Sequence, residues 1–216
     1  MLDRTTCPGY CCPPSTTLPV AIELTLSPSI EDGACPHLAV LLRSESELFP
    51  VLASFYALGA KRQGFLVHRT VQGDGAKERE CLAGAGLDVD GLEAREQLAI
   101  VEFDPDEPPE SSPQPWQDAL ERSLSRGFTA LWYSRFAVGP NDEEYNNVLP
   151  FERAWTECFA GQPVVTLCPY IVGALSGGQT LERMSEVSSL HEGVLLAGDD
   201  GLTMLRPTAS RSQLTP

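Results

Sequence analysis

The chain has 216 residues, which is enough for one domain with a sizeable hydrophobic core and too few for a multidomain assembly. Its 15 basic and 30 acidic residues give a formal charge of −15, which repels phosphate backbones and anionic lipid surfaces. Direct binding of nucleic acid is therefore not expected. The sequence also lacks an apolar run of about 18 residues, as a membrane span requires, and a signal-peptide pattern, so we expect a cytoplasmic protein.

Composition divides the chain into three parts. Residues 1–17 combine cysteines and prolines with a Ser-Thr-Thr run, a composition that cannot bury a core and predicts a flexible tail. Residues 18–206 are predicted to form a single α/β domain, with the alternating segment 18–26 as an edge strand. Residues 207–216 are predicted to be a disordered C-terminus.

Within the domain, apolar runs alternate with segments of helical periodicity. The predicted strands are 37–42, 64–68, 97–103, 128–133 and 163–168, followed by the short strands GVLLAG and LTML. The predicted helices cover 48–58, 76–83, 112–124, 151–159 and 180–190. Near-continuous apolar strands, including 97–103, indicate burial on both faces. The pattern predicts a three-layer α/β fold, with a mostly parallel sheet between helices and a small C-terminal β-hairpin.

Ligands of such sheets bind beyond the carboxyl ends of the strands, so the residues that end or follow the strands are candidates for a binding site. These candidate ligand-binding residues are Ser44, Glu45, Glu47, Arg69, Arg135, Cys168 and Tyr170. Arg135 has two interpretations of equal weight, as a contact for an anionic effector or as the partner of Asp104 or Glu152 in a salt bridge. Glu152 and Arg153 are interpreted as a solvated helix face, and Trp116, Trp132 and Trp155 as core or pocket walls.

Several blocks of the sequence resemble the MEDS domain, the methanogen/methylotroph sensory domain, over about residues 35–198. The blocks include HLAVLLRSESELFPVLASFYALGAKRQGFLVHR, RGFTALWYSRFAVG and FERAWTECFAGQPVVTLCPY. His37 matches the family's His at the first strand, Glu152 its Glu in a long helix, and Cys168 and Tyr170 its closing motif. Pro169 and Ile171 depart from that motif, and YSRF replaces a Gly-Asp-Met-like segment.

The resemblance implies a RecA-like fold and a sensory role in prokaryotic signal transduction. A small-molecule effector, a histidine kinase or an anti-sigma-type regulator is the implied partner, and the sequence leaves a homodimer open. The segment RSESELFP (43–50) has no glycine or lysine, whereas a phosphate-binding loop needs both, so ATP hydrolysis by that mechanism is not expected. The glycine-rich segment 173–180 also lacks lysine and is predicted to be a flexible loop. We therefore predict a protein that is not an enzyme.

The seven cysteines are interpreted as thiols or metal ligands, because the count is odd and the chain is too long for a disulfide miniprotein. Cys168 is predicted to be a buried thiol, since neither His68 nor His191 is placed by the sequence to act as its base. We expect no cofactor. The alternative is a thiol-, metal- or haem-responsive sensor in which zinc or haem is bound by the candidate ligands Cys7, Cys11, Cys12, Cys35 and His37.

Overall fold

The computed structural model describes residues 36–103, 114–139, 142–173, 177–198 and 201–205. Seven strands form one sheet in the order β3-β2-β4-β5-β1-β6-β7. Their bounds are β1 His37–Leu42, β2 Phe65–Val71, β3 Leu98–Phe103, β4 Leu131–Arg135, β5 Val164–Ile171, β6 Gly193–Gly198 and β7 Gly201–Leu205. All pairs are parallel except β6 with β7, which confirms the predicted sheet and its C-terminal hairpin.

Six α-helices occur in the described residues. They are α1 Leu48–Lys61, α2 Gly75–Gly84, α3 Val89–Ala94, α4 Gln114–Ser125, α5 Asp142–Phe159 and α6 Gly177–Leu190. A short 3-10 turn, Glu45–Glu47, precedes α1. Gly161 follows the end of α5 with a φ of 72°, a left-handed conformation that glycine adopts without a steric penalty. None of the helices in the described ranges is long and apolar enough to cross a membrane.

The helices form two layers because successive side chains of a strand point to opposite faces of the sheet. On one face, Leu38 and Val40 of β1 pack with residues of α1, α2 and α3. On the other face, Ala39 and Leu41 pack with residues of α5 and α6, and α4 joins α5 over the neighbouring strands. The strands β1 and β5 are neighbours, but the helices that follow them, α1 and α6, lie on opposite faces. A crevice at the carboxyl ends of β1 and β5 results from this arrangement.

The structure corrects three sequence predictions. Residues 97–103 are not buried on both faces, because β3 is an edge strand in which Val101 and Glu102 are exposed. The six-residue helix α3 was not predicted. The segment 173–180 is not entirely a loop, since α6 begins at Gly177. The predicted tail 1–17, the edge strand 18–26 and the C-terminus 207–216 lie outside the described residues.

Candidate functional site

Glu152 lies on the side of α5 that faces the sheet. The helix places Tyr145, Leu149 and Glu152 along one stripe, since residues three and four apart in a helix share a face. Tyr145 and Leu149 are buried, and the side chain of Glu152 is 0% exposed. The prediction of a solvated helix face is therefore wrong for Glu152, whereas the side chain of Arg153 is 59% exposed.

Two polar side chains from the sheet contact one oxygen of the Glu152 carboxylate. Arg135, the last residue of β4, donates a hydrogen bond from Nη2 to Oε1 of Glu152 at 2.5 Å. The Tyr170 hydroxyl of β5 donates to the same oxygen at 3.1 Å and lies 3.4 Å from Arg135 Nη2. Of the two interpretations of Arg135, the structure shows the salt bridge to Glu152. The other candidate partner, Asp104, lies outside the described residues.

The second carboxylate oxygen of Glu152 faces a cysteine and two histidines. Its Oε2 atom lies 2.9 Å from His37 Nε2, 3.3 Å from Cys168 Sγ and 3.6 Å from His191 Nε2. His37 Nε2 and Cys168 Sγ are themselves 3.3 Å apart. We refer to His37, Arg135, Glu152, Cys168, Tyr170 and His191 as the Glu152 cluster; all six are buried.

Burial and the central ion pair determine the protonation of the Glu152 cluster. Burial alone would raise the pKa of Glu152, but the Arg135 guanidinium, together with the hydrogen bonds and charge of His191 and His37, holds that pKa well below its ordinary value. Burial lowers the pKa of His37 despite the neighbouring carboxylate. Burial and the Glu152 charge raise the pKa of the Cys168 thiol well above its ordinary value. At neutral pH the cluster therefore holds an ionised Glu152, a charged Arg135, a neutral His37 and a protonated Cys168.

Aromatic side chains hold the Glu152 turn of α5 against the sheet. The Trp155 ring stacks on Tyr133 of β4 with ring centres 4.3 Å apart, and Phe159 packs against Trp155 at 4.5 Å. Trp155 Nε1 also donates a hydrogen bond to Thr166 Oγ1 of β5 at 2.9 Å. These contacts fix the height and rotation of α5, and with them the position of Glu152 three residues earlier.

A narrow crevice opens beside the Glu152 cluster at the carboxyl ends of β1 and β5. Its walls are formed by Leu41, Val138, Gly139, Tyr145, Tyr170, Ile171, Val172, Arg183 and Val187. Most of these side chains are apolar. Tyr170 belongs to both the crevice and the Glu152 cluster, because its ring lines the crevice while its hydroxyl donates to Glu152.

The predicted acidic residues lie on the loop outside this crevice. Ser44 and Glu45 are exposed, and Glu47 accepts hydrogen bonds from the backbone N–H of Arg43 at 2.7 Å and its Nε at 2.6 Å. A Cβ atom placed on Gly173 would lie 1.8 Å from the Arg43 carbonyl oxygen. The chain after β5 therefore contacts the chain after β1, which places the acidic loop beside the crevice but not inside it.

Arg69 lies in register with Arg135 on the neighbouring strand but has different contacts. Its guanidinium carbon is 4.5 Å from the ring centre of Phe103 and 5.6 Å from that of Phe151. Among the predicted ligand-binding residues, the structure thus brings Arg135, Cys168 and Tyr170 together. It leaves Arg69 in an aromatic environment and the three acidic-loop residues on the surface.

Cysteine and histidine positions differ in part from the sequence interpretation. Cys168 is a free, buried thiol, as predicted, and His37 lies beside it, whereas the sequence analysis had weighed only His68 and His191 as bases and placed neither there. Cys81 is disulfide-bonded, so the thiol interpretation is wrong there. The other proposed metal ligands, Cys7, Cys11, Cys12 and Cys35, lie outside the described residues.

Glu152 and His191 were not among the residues predicted from the sequence to form the site. A usable signal existed for Glu152, which falls at the buried position of the helical stripe that begins at Tyr145 and Leu149. A carboxylate on an apolar stripe requires a buried cation, and Arg135 at the end of an apolar strand is the matching residue. His191 gave no such signal, because it follows α6 in a turn.

A mostly parallel sheet between two helical layers defines a three-layer α/β protein. A KaiC-like protein from Pyrococcus horikoshii OT3 is similar in structure, with 14% identity, a TM-score of 0.49 and 80% of each chain covered. An uncharacterized protein from Pyrococcus horikoshii, solved in complex with an unknown peptide, has 15% identity and a TM-score of 0.50 over 83% of this chain and 88% of that chain. At these identities the similarity concerns the fold alone.

Within this fold class, residues 36–191 match the MEDS domain, described as the MEthanogen/methylotroph, DcmR Sensory domain. The match covers most of the chain and confirms the resemblance noted from the sequence blocks. The protein belongs to the MEDS family, a family of sensory domains. The comparison with curated protein sequences found no match.

Proposed function

We propose that this MEDS domain is a non-catalytic sensory domain of prokaryotic signal transduction that binds a small effector, or a partner protein, over the carboxyl edge of its sheet. The observation that supports the proposal is the double role of Tyr170. Its ring forms a wall of the crevice, and its hydroxyl donates to the buried Glu152 carboxylate. A molecule that enters the crevice contacts the Tyr170 ring, and any displacement of that ring would change the hydrogen bonding of the Glu152–Arg135 pair.

The elements around the crevice provide a route for the signal. Val187 and Arg183 of α6 line the crevice, and His191, directly after α6, is a member of the Glu152 cluster. The crevice is narrow, so an effector of more than a few atoms requires α6 to move away from β1 and β5. Displacement of α6 would alter the outer surface of the domain, which a signalling partner could recognise.

The proposal is tested by narrowing the mouth of the crevice. We expect a screen of small metabolites by thermal shift to yield compounds that stabilise the wild type but not Val172→Tyr. Val172 is half-buried directly after β5, where a larger ring fills the entrance without entering the sheet core. The control is Val101→Tyr on the edge strand β3, where valine is 38% exposed and far from the crevice in strand order. Equal stabilisation of Val172→Tyr, or a library with no stabilising compound, would contradict a small effector in this crevice.

A second prediction concerns nucleotides. Calorimetric titration with Mg-ATP is expected to show no binding in the micromolar range. The loop after β1 has neither the glycines that expose backbone N–H groups nor the lysine that contacts the outer phosphates, and it presents Glu45 and Glu47 instead. Micromolar binding that survives Glu47→Gln and the loss of Arg43 would show that phosphate is bound elsewhere on the domain.

A further inference from the structure

The inner side of the Glu152 cluster brings four metal-ligating groups together. One ligand atom each from His37, Glu152, Cys168 and His191 lies within 4.8 Å of all the others, and all four residues are buried. A tetrahedral zinc ion with bonds of about 2.0 to 2.3 Å places neighbouring ligand atoms roughly 3.3 to 3.6 Å apart. Four of the six separations, 2.9, 3.3, 3.3 and 3.6 Å, approach this spacing, and the other two are within 4.8 Å. We propose that these four residues bind a transition-metal ion that prefers thiolate and imidazole ligands, zinc(II) or copper(I).

The hydrogen bonds of His37 direct its free nitrogen toward this space. The Thr156 hydroxyl oxygen lies 2.9 Å from the Glu152 carbonyl oxygen and 3.2 Å from the Leu190 carbonyl oxygen, and its single hydrogen can serve one of them. When it does, the hydroxyl oxygen accepts from His37 Nδ1 at 2.9 Å and the lone pair of a neutral His37 is on Nε2, which faces Cys168 and Glu152. Without a metal, the other tautomer lets Nε2 donate to the Glu152 carboxylate at 2.9 Å, and a bound metal ion selects the first tautomer.

His191 is oriented in the same way by a different partner. Its Nδ1 lies 2.8 Å from the Val187 carbonyl oxygen, which can only accept, so Nδ1 carries a hydrogen. Its Nε2 is buried and has no hydrogen-bond partner among the described residues. Metal-binding histidines commonly donate their second ring nitrogen to a carbonyl or another acceptor, which fixes the tautomer and the ring orientation. Both histidines therefore have the outer contacts that a metal site requires.

Four ligand atoms face the same small space: His37 Nε2, His191 Nε2, Glu152 Oε2 and Cys168 Sγ. A metal ion there would accept an electron pair from each of them. On binding, the Cys168 thiol and any Nε2–H of the histidines release their protons to solvent.

Charge limits the choice of ion. With Cys168 as a thiolate, the ligands carry two negative charges, and Arg135 contributes a positive charge at the other oxygen of Glu152. Copper(I) would leave the buried group neutral, whereas zinc(II) would leave one positive charge. The four-ligand set of one sulfur, two nitrogens and one oxygen fits zinc geometry, and thiolate with imidazole also suits copper(I). The two ions share the same ligand chemistry and are separated by experiment.

The test uses the full chain, reduced and stripped of metal by a chelator. Cobalt(II) is the spectroscopic probe for the zinc arm, because thiolate coordination produces a charge-transfer band in the near ultraviolet that zinc then abolishes. Copper(I) is titrated without oxygen against a chromogenic chelator. We expect one equivalent to bind, and Cys168→Ser to weaken binding by at least about 100-fold. Thr156→Val keeps all four ligands and is expected to weaken binding by about 10- to 100-fold through His37.

Two controls separate this site from other thiols. Cys158→Ala removes a half-buried cysteine of α5 outside the cluster and should leave binding unchanged. A chain with serine at Cys81, whose disulfide the reduction opens, and at the four N-terminal cysteines, Cys7, Cys11, Cys12 and Cys35, should also keep its cobalt band. The proposal is overturned if the wild type shows no thiolate band and no copper(I) binding, or if binding is lost with the N-terminal cysteines. Since no effector is involved, the result is independent of the proposed function.

Discussion

Arg135→Met is expected to lower the free energy of unfolding of the metal-free protein by about 3 to 5 kcal/mol, because it leaves the Glu152 carboxylate buried without its cation. Both side chains of the pair are at most 1% exposed, so water cannot replace the lost partner. Equilibrium unfolding in urea, with a chelator present, measures the change. Glu152→Gln leaves the Arg135 guanidinium buried without its anion and should also destabilise, by less because the amide oxygen can still accept from Arg135 and Tyr170.

The cost of Arg135→Met should be specific to the buried charge. In the double variant Arg135→Met/Glu152→Gln no charge remains unpaired, and we expect more than half of the lost stability to return. The matched surface variant is Arg126→Met, which breaks an exposed ion pair with Glu96 and should cost about 0 to 1 kcal/mol. If Arg135→Met costs no more than Arg126→Met but abolishes effector binding, Arg135 is primarily an effector contact.

The segments that form strands were largely predictable from the sequence, whereas the position of each strand within the sheet was not. Continuous apolar runs identified β1 and β5 because strands buried on both faces need no polar alternation. The same apolar pattern led to the wrong prediction that β3 is buried on both faces, because β3 is largely apolar in sequence but lies at the edge of the sheet. Edge position depends on which strands pair, and that information is not local. The helix α3 was missed because six residues are too few to show helical periodicity.

Half of the Glu152 cluster could be selected from the sequence. Arg135 and Tyr170 lie at or next to strand ends, and Cys168 ends the predicted strand 163–168, although β5 continues to Ile171; the parallel-sheet rule directs attention to such positions. His37 opens β1, at the opposite end of the strand, and reaches Cys168 because β1 and β5 pair in register from His37 and Thr166 onward. His37 had been grouped with Cys35 and the N-terminal cysteines by proximity in sequence. Its partners Cys168 and His191 come from distant segments, and only the tertiary fold brings them near.

Trp155→Ala is expected to lower the free energy of unfolding by about 3 to 5 kcal/mol, as is typical of a buried aromatic residue replaced by alanine. Trp155 is 1% exposed and its ring contacts Tyr133, Phe151 and Phe159. The variant also leaves the Thr166 hydroxyl without its indole donor. Because Trp155 holds the Glu152 turn of α5 on the sheet, the loss should extend to the Glu152 cluster.

Two further measurements separate a local loosening of α5 from a general loss of stability in Trp155→Ala. Trp155→Phe keeps an aromatic ring against Tyr133 but removes the hydrogen bond to Thr166, so its cost should be well below that of the alanine variant. Amide hydrogen exchange should show faster exchange across α5 and at Cys168 and Tyr170 in Trp155→Ala, with the α1 face of the sheet little changed. The α1 face has its own packed core around Trp132, which the substitution does not touch. A cost below about 1 kcal/mol, or exchange that rises uniformly over both faces, would show that Trp155 does not hold α5 and Glu152 in place.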